Sequence, residues 1–199
     1  VTLTLVKLMV IPTNQFIQGV TMSEKILFHS GEATVFAKPG QFTDAMPEIL
    51  IGDVSGPVGQ AFANMMGQTA GHTRMFAIRA CNQMVKPATM MVPKVTIKNS
   101  KMIELFGGVV QAGTADAIVD CLIENILPRD QANNLCIISL VWIDPQTLTD
   151  PNLDLKDMYR TNYEATKLAV TRAMRNEPSL EELIAKRHSM KHEMFDPTA

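Results

Sequence analysis

A single carboxylate lies in a short apolar stretch in the first third of the chain. Glu48 belongs to the sequence AMPEILIG, residues 45–52, where Met46 and Pro47 precede it and three aliphatic residues follow it. The β-branched and aliphatic content predicts a strand that ends at Gly52. A carboxylate in such surroundings is either an exposed edge position or part of a site. The stretch alone leaves both interpretations open.

The sequence PKVTIKN, residues 93–99, places an ammonium two residues from a hydroxyl. If this stretch is a strand, Lys94 and Thr96 share one face and Val95 and Ile97 share the other. Lys94 and Thr96 would then suit a polar or anionic ligand. An ordinary half-solvated strand shows the same alternation, and the pattern by itself favours that interpretation.

A glycine-containing stretch, FGGVVQAG, precedes a predicted helix and carries Gln111. It matches neither the dinucleotide fingerprint nor a phosphate-binding loop with its lysine. The amide of Gln111 could face a ligand or cap the helix, and the pattern favours capping. The three cysteines form no C-x-x-C pair and have apolar neighbours. This indicates small buried side chains in a reducing cytoplasm and no metal site.

The elements that must position these residues alternate between strands and helices in one domain. Of the 199 residues, 46% are hydrophobic and the net charge is −2, which argues against a dedicated nucleic-acid or anionic-membrane binder. The first 20 residues are too polar to span a bilayer and lack a targeting pattern. Residue pattern predicts strands over 25–36, 48–52, 72–81, 90–99 and 133–143. It predicts helices from 57, over 111–127 and over 154–175. Ser179 and Glu182 form a capping pair that predicts one more helix after them. Pro93 suggests an edge strand or a bulge.

Four stretches closely resemble the formaldehyde-activating enzymes: SGEA around Gly31, KPATMMVPKVTI, ELFGGVVQAGTADAIVDCLIENILPRDQANNL and NYEATKLAVTRAMRNEP. The resemblance runs from about Lys25 to Pro178. It implies an α/β (α+β) two-layer domain over 22–199 with a left-handed β-α-β crossover, like the second domain of ribosomal small-subunit protein five. Residues 1–21 then form an amino-terminal extension, either flexible or not native.

The resemblance also implies an activity. These enzymes are lyases of one-carbon metabolism that condense formaldehyde with tetrahydromethanopterin to methylene-tetrahydromethanopterin and water. They need no metal. They form homopentamers with the pterin bound between neighbouring subunits, and no nucleic acid or membrane is involved. The open alternatives are a non-catalytic carrier or sensor that binds pterin or formaldehyde, and a condensation on a different pterin or carbonyl substrate.

Residue by residue, the family's pterin-contacting lysine, threonine and glutamine fall on Lys94, Thr96 and Gln111. A contacting leucine falls on Phe76 and a contacting aspartate on Glu48. The family's proton-donating histidine falls on Met46, whose thioether has no proton to give.

Two residues are therefore candidate proton donors. Glu48 would leave the same strand face as Met46 and is one methylene longer than the family's aspartate. A partly buried carboxylic acid can keep its proton near neutral pH. The weaker candidate is His72, which would share a strand face with Phe76 and whose residue type titrates near neutrality.

Overall fold

The computed structural model describes residues 25–68, 73–192 and 195. The predicted extension over 1–21 and the candidate donor His72 lie outside the described residues. The described residues contain seven strands: β1 (His29–Glu32), β2 (Glu48–Asp53), β3 (Met75–Phe76), β4 (Ile78–Ala80), β5 (Gln83–Met84), β6 (Ala88–Pro93) and β7 (Leu135–Val141).

Five of these strands form one mixed sheet in the order β1-β2-β7-β6-β3, and β4 pairs with β5 in a separate ribbon. The apolar run of β7 places it third in the sheet, as its uninterrupted hydrophobicity predicts, because a strand with neighbours on both sides is covered on both faces. β2 is antiparallel to β7, whereas β6 is parallel to it. The chain therefore crosses over from β6 to β7 through helical structure.

The main helices are α1 (Pro57–Gly67), α2 (Ser100–Leu105), α3 (Gln111–Ile123), α4 (Leu155–Arg175) and α5 (Leu180–Lys186). A π-helical segment, Phe106–Val110, joins α2 to α3. The run Ser100–Ile123 is long and apolar enough to cross a membrane by length and composition, and half of it is buried inside the protein. Core helices have the same properties, so this run is accounted for by its packing.

The two faces of the sheet differ. On one face, Ile49, Ile51, Met91 and Ile137 pack with α3 and α4 in the main core. The opposite face, which we call the open face, carries the alternate residues of the same strands. Val58 of α1 packs there, with the cluster members Leu50, Phe62, Met65, Val92, Cys136 and Ile138. Several of these side chains are only partly buried, so α1 leaves part of the open face accessible.

Most predicted elements are confirmed, including the mixed α/β class. The predicted cap at Ser179 is also present, since its Oγ accepts a hydrogen bond from the Glu182 N–H at the start of α5. Asp154, where the predicted long helix begins, accepts hydrogen bonds from the first turn of α4. The single strand predicted over 72–81 is wrong, because pairing with β6 ends at Phe76 and the chain then turns into the separate β4–β5 ribbon.

The predicted strand over 90–99 is also wrong in its second half. β6 ends at Pro93, which has the local edge position that the proline suggested, although the rest of β6 lies between β7 and β3. Proline is tolerated there because β3 pairs only with Met90 and Met91, so no strand flanks Pro93 on that side. Lys94 and Thr96 therefore do not share a strand face.

Candidate functional site

A short polar contact on the open face joins Glu48 to Lys94. Lys94 Nζ lies 2.6 Å from Glu48 Oε1, and the two residues are 46 positions apart in sequence. The strand β7 lies between β2, which carries Glu48, and β6, which ends one residue before Lys94, and its Leu140 pairs with both Glu48 and Val92. Cross-strand partners point to one face, so the charged pair lies on the open side of the sheet. It is a charge-assisted hydrogen bond on a largely apolar surface.

Lys94 reaches this position although its strand has ended. Its backbone N–H donates to Val141 O at 2.7 Å, which extends the contact with β7 by one residue. The side chain is 23% exposed, so most of its length is covered. A lysine in this position buries its methylene stem and keeps its ammonium at the surface.

Glu48 begins β2 and its side chain is 54% exposed. The expectation of a partly buried carboxylic acid is therefore wrong. Successive side chains of a strand point to opposite faces, so Ile49 takes the buried position and Glu48 points to the open face. The carboxylate of Glu48 contacts the ammonium of Lys94 and is not enclosed by apolar side chains.

Met46 lies on the same face as Glu48. Ala33 N–H donates to Pro47 O and Val35 forms a bridge with Ala45, so the pairing of β1 with β2 continues in register. Met46 then stands between two buried residues, Ala45 and Pro47, and is itself half-buried. The thioether and the carboxylate leave the chain on one side, as the spacing predicts.

The loop before Met46, residues 36–44, is held by a buried aspartate of α4. Asp157 Oδ2 accepts from Thr43 Oγ1 at 2.6 Å and from the Lys38 N–H at 3.0 Å. Arg160 donates to Asp157 Oδ1 through both Nε and Nη2. Burial acts to raise the pKa of Asp157, but the hydrogen bonds from Thr43, Lys38 and Arg160 outweigh it and lower the pKa. This anchor fixes where the chain re-enters the sheet and so fixes Met46 and Glu48.

Phe76 also lies on the open face, because its cross-strand partner Met90 pairs in turn with Ile138. Its ring centroid is 5.8 Å from that of Phe62 on α1, with the planes tilted by 40°. The two rings provide an aromatic surface further along the face from the charged pair. In the sequence, Phe62 belongs to an apolar stripe of the predicted helix from residue 57, and such a stripe does not specify which sheet face it meets.

Thr96 and Gln111 lie apart from the charged pair. Thr96 is exposed in an irregular segment and lines a separate cavity of about 320 Å³ with Asn99 and Met102. Gln111 is buried at the start of α3, and its Nε2 donates to Phe76 O at 3.0 Å and to Met75 Sδ at 3.2 Å. Gln111 therefore holds the edge strand β3 from the core side and does not cap its own helix.

Two residues that position the site were not found from the sequence. Asp157 carries no motif and lies within an ordinary first helical turn, and Leu140 is one aliphatic residue of a long apolar run. Only the strand order and the fold of the 36–44 loop reveal their positions. Among the described residues, no group of three or more His, Cys, Asp or Glu side chains is arranged to hold a metal ion.

The fold and the site together define an α+β domain whose charged, thioether and aromatic side chains share one partly open sheet face. The model of the family described as formaldehyde-activating enzyme (Fae) matches residues 30–195. The chain therefore belongs to the formaldehyde-activating enzyme family.

Individual relatives agree with this assignment. The chain is 39% identical over 166 residues to a 5,6,7,8-tetrahydromethanopterin hydro-lyase of Methanosarcina barkeri, covering 81% of this chain and 87% of that protein. It is 38% identical over 167 residues to the bifunctional enzyme Fae/Hps of Methanothrix thermoacetophila, covering 83% of this chain. The match spans 41% of that bifunctional protein.

Proposed function

We propose that this chain binds tetrahydromethanopterin on the open face and condenses it with formaldehyde to methylene-tetrahydromethanopterin and water. The observation that carries the proposal is the 2.6 Å contact between Lys94 and Glu48, two positions at which the family contacts its pterin. The names of the relatives support the reaction. Phe76, with Phe62 beside it, would pack against the heterocycle, and Thr96 and Gln111 would contribute after local rearrangement.

The reaction needs one proton delivered and one returned. A pterin amine adds to the carbonyl carbon of formaldehyde, and the proton lost by nitrogen ends on oxygen as the carbinolamine hydroxyl. That hydroxyl is protonated again and leaves as water, while the nitrogen lone pair forms the iminium bond. The second amine then attacks the methylene carbon and loses its own proton, which closes the ring. A positioned acid contributes roughly 10²–10⁴-fold to such a step.

In this chain the pair of Glu48 and Lys94 would supply that acid. The ammonium of Lys94 carries the proton and the carboxylate oxygen at 2.6 Å can pass it to the hydroxyl. Met46 would exclude water beside the reacting carbon, because its side chain leaves the chain on the same face. His72 is the second candidate donor. Holding the two reactants together also lowers the activation barrier, by ~7–11 kcal/mol in favourable cases.

A carrier or sensor is the second candidate function. One observation favours it: the position of the family's histidine is occupied by a thioether, and Glu48, on the same strand face, already accepts a hydrogen bond from an ammonium. Such a chain would bind the pterin or formaldehyde without accelerating their reaction. A condensation on another pterin or carbonyl compound is the remaining alternative.

Finer features of the family complete the proposal. We propose that the crossover from β6 to β7 is left-handed, as in the second domain of ribosomal small-subunit protein five. The chain would work as a cytoplasmic homopentamer without a metal, with the pterin between subunits and no nucleic acid or membrane as partner. Light scattering at micromolar concentration checks the oligomer, and a stable monomer would contradict it.

Stopped-flow measurement of methylene-tetrahydromethanopterin formation, with and without protein, tests the activity. Catalysis requires a rate above that of the spontaneous reaction. Glu48→Gln should lower the catalysed rate at least roughly tenfold and leave pterin affinity within a few-fold. Glu104→Gln, an exposed glutamate of α2 outside the site, is the matched control. If the wild-type rate equals the spontaneous one, the catalytic proposal fails. Pterin binding measured by calorimetry would then support the carrier.

His72→Gln and Met46→His complete the comparison. If His72 is the proton donor, His72→Gln should lower the catalysed rate and Glu48→Gln should leave it unchanged. If neither removal changes the rate and Met46→His raises it strongly, the chain has lost the family's acid without a replacement. The catalytic proposal then fails and the carrier is retained.

A further inference from the structure

Trp142, the only tryptophan of the chain, follows directly after β7. Val141 before it and Ile143 after it are both buried in the main core. Successive side chains of an extended chain point to opposite sides, so the indole between these two residues points to the open face. It is partly exposed there. The alternation of β7 therefore continues past its last paired residue and adds an aromatic ring to the open face.

The register of the sheet places Trp142 beside the ion pair of Glu48 and Lys94. Leu140 pairs with Glu48, and Trp142 is the next residue of β7 that points to the same face. On the other side of β7, the Lys94 N–H donates to Val141 O, so Lys94 is level with the following residue, Trp142. The contact between Lys94 and Glu48 therefore crosses β7 between Leu140 and Trp142.

Met46 approaches the same position from the β2 side. The strands β2 and β7 are antiparallel, with Glu48 opposite Leu140. The same register, continued by two residues, brings Met46 level with Trp142. Neighbouring strands are about 4.8 Å apart, so the thioether and the indole occupy adjacent positions on the open face. Trp142 thus lies between Lys94 on one side and the position of the family's histidine on the other.

A cavity opens beside the same ion pair. Glu48 and Leu140 line this cavity of about 390 Å³, which extends toward β1 and Arg172 of α4. Trp142 lies one position beyond Leu140 on the same face. A flat ring packed on the indole would leave the remainder of the ligand next to the ion pair and the cavity.

Phe76 is further from the ion pair than Trp142 is. Phe76 pairs with Met90 and Met90 pairs with Ile138, so Phe76 is level with Ile138 and two strands away from β7. Four residues along β7 and two strands across it separate the Cα positions of Phe76 and Trp142 by roughly 16 Å. The open face therefore has two separate aromatic surfaces, and Trp142 provides the one beside the charged groups.

We propose that Trp142 is a specificity-determining residue of this same site, whose indole packs against a flat ring of the pterin beside the ion pair. The inference rests on the proposed function for the identity of the ligand. An indole offers a large flat apolar surface and favours offset-stacked or edge-to-face contact with another ring. Formaldehyde has no ring, so Trp142 contributes to binding the pterin and not the aldehyde.

Fluorescence of the wild-type protein gives the first test, because a single tryptophan reports on this position alone. Tetrahydromethanopterin is titrated into the protein and followed by calorimetry and by tryptophan fluorescence, with N-acetyltryptophanamide as the correction for absorption by the ligand. The fluorescence should change with the same midpoint as the calorimetric signal. Saturation with ligand should also protect the indole from quenching by acrylamide. Unchanged fluorescence and unchanged acrylamide quenching at saturation would overturn the inference.

Variants give the second test. Trp142→Leu keeps an apolar side chain without a flat ring and should weaken tetrahydromethanopterin binding roughly 3- to 10-fold, whereas Trp142→Phe should stay within about twofold of wild type. Phe28→Leu is the matched control and should bind like wild type. Phe28 is an exposed aromatic residue level with Gly52, roughly 20 Å along the sheet from Trp142. Circular dichroism checks the fold of each variant, and equal affinities of wild type and Trp142→Leu would contradict the inference.

A simple tetrahydropterin, which has the heterocycle without the long side chain, identifies the part of the ligand that packs on the indole. A fluorescence change with both compounds assigns the heterocycle. A change with tetrahydromethanopterin alone assigns a part beyond it. Both results support the packing of Trp142 on the ligand.

The same measurements separate this inference from the proposed function. Wild-type protein without calorimetric binding of tetrahydromethanopterin would remove both. Binding that leaves the fluorescence unchanged and is equally tight in Trp142→Leu would remove the inference and leave the proposed function in place. A carrier without catalysis gives the same binding results as an enzyme, so the test of Trp142 does not depend on the rate assay.

Discussion

The hydroxyl of Tyr163 on α4 donates a 2.6 Å hydrogen bond to Asp120 Oδ2 on α3. One turn earlier, Tyr159 donates to Asp116 Oδ2 at 2.7 Å in the same way. The two rings stack with centroids 6.1 Å apart. These bonds join the two helices that cover the core face of the sheet, so they hold α3 and α4 in register.

Both tyrosines of the chain belong to this arrangement, which makes their ionisation directly measurable. The hydrogen bond to Asp116, with burial and the charge of that aspartate, raises the pKa of Tyr159 to about 12, and the bond to Asp120 raises the pKa of Tyr163. We expect phenolate absorbance to develop at higher pH in the folded protein than in denaturant, where both residues ionise near pH 10. Ionisation of the folded protein near pH 10 would contradict the geometry.

The raised tyrosine pKa values also make the stability of the folded protein depend on pH. Because the folded state raises the pKa of Tyr159 to about 12, this residue stabilises the fold fully below pH 10, and its contribution is lost as the pH rises from about 10 to 12. The raised pKa of Tyr163 acts in the same direction. Tyr159→Phe and Tyr163→Phe should each cost about 1 kcal/mol at pH 7 and flatten the alkaline loss. Urea unfolding at pH 7 and at pH 10.5 checks both statements.

Asp157 should make the stability of the protein depend on pH at the acid end of the range. Its pKa is lowered, because the hydrogen bonds from Thr43, Lys38 and Arg160 outweigh the effect of burial. The stabilisation is therefore present above about pH 3.9 and is lost as the pH falls through the lower folded value. Asp157→Asn should cost at least about 2 kcal/mol at pH 7, since bonds to a charged group contribute ~1.5–3 kcal/mol each.

The urea midpoint of wild type and Asp157→Asn, followed from pH 7 to pH 3, measures this effect. The difference between them should shrink as the pH falls. A difference that is constant over that range would mean that the charge of Asp157 contributes nothing. Glu164→Gln, which removes the exposed partner of Arg160, should change the midpoint little.

Gly31 should not tolerate alanine. The added Cβ would meet the backbone of α4 at 2.3 Å, and backbone cannot yield as a flexible side chain can. We expect Gly31→Ala to destabilise the protein by about 1–3 kcal/mol or to prevent folding. Gly67→Ala is the control, because nothing lies within 4 Å of its added Cβ. Thermal unfolding of both variants measures the contrast.

Ser139 offers a substitution that should cost nothing. Its side chain is buried in β7 opposite Ile49 and Met91, and its hydroxyl has no hydrogen-bond partner among the described residues. Ser139→Ala removes an unpaired polar group, so the melting temperature should stay the same or rise. A clear fall would show that the hydroxyl has a partner, such as a bound water.

Much of the fold could be predicted from local pattern. The apolar run of β7 and the spacing of α3 and α4 are set by which side chains must be buried, and caps such as Asp154 depend on neighbouring residues only. The stretch after Pro93 was predicted wrongly, since alternation in residues 94–99 cannot show whether another strand is there to pair with it.

The site was less predictable for the same reason. The contact between Glu48 and Lys94 depends on β7 entering the sheet between β2 and β6, a long-range pairing with no local signal. The family resemblance identified Glu48 and Lys94 as candidate site residues, but it did not predict that they contact each other. The exposure of Glu48 could not be read from its apolar neighbours, because the alternation of side chains does not show which face of the sheet is open.

Under the proposed function, Leu140 is a position at which the fit of the bound molecule can change while the charged residues stay the same. It lies on β7, between β2, which carries Glu48, and β6, which ends one residue before Lys94, and it lines the cavity beside Glu48. A bulkier or smaller residue there would alter the depth of that cavity while leaving both charged residues in place. Proteins of this family could then diverge in the molecules they accept through an aliphatic position that carries no proton.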